Sequence, residues 1–166
     1  TINSTGATVF ASTLETASGI TSDNAAGAIT FQDDVTIAAG TVGTTLNNAI
    51  TNLDGMTFTS AGDVTFGNDV TADQVNLSSG PVAITVTGAT TFDALVDGAQ
   101  NLTLTVDGLT SFNGAVGSVT PIGTGTGAAI TIDSTGATTF ASTLKTASGI
   151  TSANAAGAIT FQDDVT

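Results

Sequence analysis

The chain has 166 residues and carries 14 acidic side chains against a single lysine, a formal net charge of −13. Such an acidic balance disfavours nucleic acid and anionic membrane surfaces as partners. Threonine supplies 35 residues and glycine 20, with no Trp, Tyr, Cys, His or Arg, which favours pleated strands over helices and removes most catalytic side chains.

In chain order, the first recurring feature is the frame Gly-x-x-x-Phe-x-x-x-(Val/Leu). It occurs as GATVFASTL ending at Leu14 and GAITFQDDV ending at Val35. GTTLNNAI, ending at Ile50, is a degenerate copy with Leu46 in the Phe place. The frame then returns as GDVTFGNDV at Val70, GATTFDALV at Val96, GLTSFNGAV at Val116, GATTFASTL at Leu144 and GAITFQDDV at Val165. Of the eight phenylalanines only Phe58, in GMTFTSAG, falls outside it. Successive framed Phe are 21, 35, 26, 20, 28 and 21 residues apart, and the 35 hides the degenerate unit.

A longer repeat overlies this one. At an offset of 130, Thr131–Thr166 restates Thr1–Thr36 with four differences: Asn3/Asp133, Val9/Thr139, Glu15/Lys145 and Asp23/Ala153. The first copy runs on into IAAGTVG without punctuation, and the chain reads as a window on something longer. The expected organisation is one super-repeat of five or six coils over 1–130 and the start of a second over 131–166.

Each Phe and the residue two before it share one face of a strand, with Thr, Ser or Val between them. Small, polar or acidic residues follow, as in Gln32-Asp33-Asp34 and Asn113-Gly114-Ala115, and the chain turns there. Further strands lie between the frames: AITVT at Ala83–Thr87, LTLTV at Leu102–Val106 and AAITI at Ala128–Ile132, with aliphatic residues inward and Thr outward. Asp-Gly at Asp54, Asp97 and Asp107 marks turns. A mean hydropathy of +0.36 is too apolar for a disordered chain. The reading is all-β. One large apolar residue per short period is what a parallel β-solenoid with 20–28-residue coils requires, because a single coil cannot bury its Phe alone. The alternative is a string of tandem antiparallel β-sandwich repeats.

These motifs, GLTSFNGAVGS at Gly108–Ser118 above all, resemble the Thr/Gly/Ala-dominated repeats of bacterial surface proteins. The family concerned is the large adhesins of the filamentous-haemagglutinin type and related β-strand-repeat proteins. The resemblance implies a right-handed parallel β-helix, extracellular or at the cell surface, displayed as a rod or fibre.

Chemistry is sparse. Without His, Cys or Arg, nucleophilic triads and thiolate or imidazole metal sites are excluded. The acidic pairs Asp33-Asp34 and Asp163-Asp164 could serve as acid and base or as calcium ligands, but read as solvated turn residues. Thr57-Phe-Thr59, Thr85-Val-Thr87, Thr103-Leu-Thr105 and Thr124-Gly-Thr126 raise ice binding. They sit at unequal offsets from the Phe frame and need not stack on one face, and a β-branched residue that tolerates both surface and core explains them more simply. No catalytic, cofactor-binding or metal-binding residue is assigned, no cofactor is expected, and the protein is not read as an enzyme.

The functional expectation is a structural or adhesive segment of an extracellular bacterial fibre. Its partners would be more of the same material, in the same chain or in a neighbour, together with other cell-surface or matrix components. The alternative is a carbohydrate- or calcium-dependent binding module on the same scaffold. Two geometric expectations follow. Phe10, Phe31, Phe66, Phe92, Phe112, Phe140 and Phe161 should lie inside in one register, and Thr131–Thr166 should superpose on Thr1–Thr36 after translation along the rod plus accumulated twist.

Overall fold

A computed structural model of the protein describes residues 1–38, 42–153 and 155–166; residues 39–41 of the IAAGTVG run and Asn154 of the second block lie outside them. The described residues form a β-solenoid of seven coils in which every strand pairing is parallel. The first coil comprises β1 (Thr8–Phe10), β2 (Leu14–Thr16) and β3 (Thr21–Ser22), and the second β4 (Ile29–Phe31), β5 (Val35–Ile37) and β6 (Thr44–Leu46). The third holds β7 (Ile50–Asp54), β8 (Thr57–Ser60) and β9 (Val64–Phe66), and the fourth β10 (Gln74–Ser78), β11 (Val82–Val86) and β12 (Thr90–Phe92). The fifth holds β13 (Leu95–Asp97), β14 (Leu102–Val106) and β15 (Thr110–Phe112). In the last two coils the leading strand shrinks to a bridging residue, Val116 or Leu144, followed by β16 (Ile130–Ile132) and β17 (Thr138–Phe140), then β18 (Ile150–Ser152) and β19 (Ile159–Phe161).

Stacking the coils generates three parallel sheets: a first of β1, β4, β7, β10 and β13, a second of β2, β5, β8, β11, β14, β16 and β18, and a third of β3, β6, β9, β12, β15, β17 and β19. The antiparallel sandwich is thereby excluded. Along the first sheet one inward column runs Thr8, Ile29, Thr51, Val75, Val96, Val116, Leu144, Val165. Its steps range from 20 residues, Val96 to Val116, to 28 residues, Val116 to Leu144, which are the coil lengths.

Period-two alternation decides what is buried. Val82, Ile84 and Val86 on β11 and Leu102, Leu104 and Val106 on β14 point inward, with Ala or Thr between them. The residue two before each framed Phe also faces in: Thr90, Thr110 and Thr138 form a fully buried column beside the rings of the third sheet. Their hydroxyls have no hydrogen-bond partner among the described residues, at a cost of roughly 1 kcal/mol or more each.

The phenylalanines pack as one stack, but in two registers. Phe10 and Phe31 lie on the first sheet, whereas Leu46, Phe66, Phe92, Phe112, Phe140 and Phe161 follow one another along the third. Phe58, the ring outside the frame, sits on the second sheet and joins them edge-on, 6.2 Å from Phe31 and 5.6 Å from Phe66. Within the third sheet the rings are nearly parallel, 4.4 Å apart for Phe92 and Phe112, and each such pair adds about 1 kcal/mol beyond its burial. Phe161 alone among the framed rings is exposed, at 43%. The expectation of a single register is therefore corrected: the frame moves by one face between Phe31 and Phe66, where 35 residues make one coil and two further strands. A buried polar cluster occupies that region, with the Ser22 hydroxyl donating to Asn48 Oδ1 at 2.9 Å and Thr51 beside it.

The frame glycine has a steric reason. Gly88, Gly108, Gly136 and Gly157 precede third-sheet strands at one corner of successive coils. A Cβ added at Gly136 would lie 1.7 Å from the Gly108 carbonyl oxygen, and one at Gly157 would lie 2.5 Å from the Gly136 carbonyl carbon. Backbones of adjacent coils approach too closely there for any side chain.

The two near-identical blocks occupy different faces. TVF of β1 lies on the first sheet and its counterpart TTF of β17 on the third; LET of β2 lies on the second, whereas Leu144 lies on the first. From β1 to β17 the chain advances seventeen strand positions at three to a coil, so 130 residues make five coils and two-thirds of a sixth. Superposing the blocks thus needs a rotation by one face as well as a translation.

Candidate functional site

With the core accounted for, any function rests on what the three sheets turn outward. The second sheet carries a two-dimensional array of threonines. One column runs Thr36, Thr59, Thr85, Thr105, and the other Thr57, Ala83, Thr103, Thr131, Thr151. Rows repeat about every 4.8 Å across strands, and the two columns lie about 6.6 Å apart along a strand. The hydroxyls of Thr36, Thr57, Thr59, Thr85, Thr103 and Thr105 make no hydrogen bond to any described residue, whereas Thr151 Oγ1 donates to Thr131 Oγ1 at 3.4 Å. The expectation that these runs need not share a face gives way for Thr57, Thr59, Thr85, Thr103 and Thr105, which do share one. It stands for Thr124 and Thr126, which lie in the loop of the sixth coil, tied to Asn101.

The third sheet turns out a single hydroxyl column, Thr21, Thr45, Thr65, Thr91, Ser111, Thr139 and Thr160, because its strands are short enough to offer one outward residue each. The first sheet differs: an outward column runs Thr30, Asn52, Asn76, Asp97, and its first three members bond to one another. Asn76 Nδ2 donates to Asn52 Oδ1 at 3.0 Å, and Asn52 Nδ2 donates to Thr30 Oγ1 at 2.9 Å. The buried Asp97 carboxylate ends the column by accepting from the amides of Val119 and Thr120 at 2.9 and 3.1 Å, which anchors the sixth-coil loop. Sequence reasoning missed this ladder because its members come from four coils at unequal spacing.

The acids singled out by sequence are turn residues. Asp33 and Asp163 each accept from the next residue's amide at 2.8 Å, and Asp34 also accepts from the Thr57 amide of the next coil at 2.8 Å; all four carboxylates of the two pairs are exposed. Because the blocks differ by one face, Asp33-Asp34 and Asp163-Asp164 lie at different corners and form no common edge. Asp69 is held below the ordinary carboxylate range by bonds from the Thr71 hydroxyl and amide. No group of three or more Cys, His, Asp or Glu that could hold a metal ion occurs among the described residues. No described helix is long and apolar enough to cross a membrane. An open recess of about 380 Å³ lies between Glu15, Thr16, Ala17, Thr36 and Ala38, with Glu15 its one titratable group.

Compared with protein-family models, curated proteins and solved structures, the chain matches none.

Proposed function

We propose that the protein is a structural or adhesive segment of an extracellular bacterial fibre, with no active site. What supports the reading is the continuity of the stack. The three ladders run through all seven coils and pass from the first block to the second with no change of material. Such a body is stiff along its axis, because each coil is hydrogen-bonded to its neighbours on three faces and the Phe stack runs through the core. The likeness of GLTSFNGAVGS to repeats of bacterial surface proteins supports the location. The single Lys145 and the absent arginines leave trypsin one cleavage position, which suits an exposed fibre.

The test has two arms. Fusions of two and three 130-residue periods, viewed by electron microscopy, should be rods of constant width that lengthen by about 27 Å per period. Beads on a flexible string would overturn the rod. Antibody labelling of intact producing cells should reach the protein without permeabilisation, and labelling only after permeabilisation would overturn the surface location.

A further inference from the structure

We propose that the outward face of the second sheet binds ice. The ligand is argued from the geometry of the face. Most ligands are met by a few convergent groups in a concavity; this face instead repeats threonine along two columns, interrupted in the second by Ala83. Eight threonines occupy it over six coils: Thr36 on β5, Thr57 and Thr59 on β8, Thr85 on β11, Thr103 and Thr105 on β14, Thr131 on β16 and Thr151 on β18. Their spacing, about 4.8 Å by about 6.6 Å, is set by the strands themselves and is comparable with the oxygen repeats on a face of hexagonal ice. A ligand that repeats in two dimensions can engage all of them at once.

Three further observations favour a water lattice. Six of the eight hydroxyls are not engaged by any described protein group, so they are available to water. Threonine is β-branched and stiff at χ1, so its hydroxyl and methyl are held in place before binding and little side-chain entropy is lost. The central threonines Thr57, Thr59, Thr85 and Thr103 share their strands with no charged residue, whereas Glu15 and Asp34 border the array at Thr36 and Asp133 borders it at Thr131; a charge would organise its own hydration shell. The other faces lack this combination. On the first sheet the outward amides bond to one another, and the third offers one column and so no second dimension. The face also holds no aromatic side chain on which a sugar ring could stack.

The inference stands apart from the fibre reading, since a rod can exist without touching ice. The test uses the whole 166-residue chain in assays of ice recrystallisation and of thermal hysteresis. The parent protein should keep ice grains small and open a gap between melting and freezing. Thr85→Lys and Thr105→Lys, at exposed array positions, should each abolish both effects, while Thr91→Lys on the third sheet should retain them. Circular dichroism and melting temperature identify which variants keep the parent fold; should one array variant not fold, the other carries the comparison. The proposal is overturned if the parent leaves ice growth unchanged, if a folded array variant keeps full activity, or if Thr91→Lys loses activity equally.

Discussion

Thr1–Thr36 and Thr131–Thr166 differ at four positions, yet the structure puts them on different faces of the same rod. Phe10 packs on the first sheet against Phe31, at 5.2 Å; Phe140 packs on the third, between Phe112 at 4.7 Å and Phe161 at 5.3 Å. In both places the residue two before the ring faces in, the residue between them faces out, and a glycine opens the corner. Local sequence therefore decides that a strand forms and which side of it is buried. Which of three sheets the strand joins is set by how many strand positions precede it in the stack, seventeen between β1 and β17. The lesson is one of tertiary context overriding position in a repeat.

The comparison can be broken at matched positions. The largest difference should come from the corner glycine. Gly136→Ala drives a Cβ into the Gly108 carbonyl and should cost about 5 kcal/mol or prevent folding, whereas at Gly6 the nearest atom is Ser4 Oγ at 3.9 Å, so Gly6→Ala should stay within about 0.5 kcal/mol. Equal losses in chemical denaturation would mean that the two corners are packed alike. Next come the rings. Phe140, 1% exposed, should lose about 3 to 5 kcal/mol on truncation to Ala, and the half-buried Phe10 clearly less, as read from the same denaturation curves. The smallest effect has the opposite sign: Thr138→Val removes an orphaned buried hydroxyl without changing shape and should raise stability by about 1 kcal/mol, while Thr8→Val at the half-buried counterpart should gain less. A destabilised Thr138→Val would show that the hydroxyl has a partner in solution.

Much of this fold was legible beforehand. The Phe frame, the inward Val, Ile and Leu of the longer strands and the 20 to 28 residue coils all follow from alternation and spacing. The change of face was not. A period-two pattern says in or out and is silent on which sheet, and reading Leu46 as a degenerate copy of the frame did not show that it lies on another sheet than Phe31. The threonine array was misjudged for a related reason. Offsets from the preceding Phe are unequal, but counted to the following Phe the runs agree: Thr57 and Thr59 stand 9 and 7 residues before Phe66, as Thr103 and Thr105 stand before Phe112, and the ladder aligns them. The orphaned column Thr90, Thr110, Thr138 was visible as inward positions, though not as unpaired hydroxyls, because partners across coils are a property of the stack.

The remainder of two-thirds of a turn in each 130 residues bears on how such a body meets its surroundings. Were the period an integer number of coils, every copy of a given patch would line up along one side and leave the opposite side blank. With this remainder, each copy is turned by one face from the last, and the fourth returns to the bearing of the first. A chain of three periods would then offer the same patch in three directions, so a partner arriving from any side would find one within reach. The rod would have no blind side, and multivalent attachment would not depend on how it happens to lie.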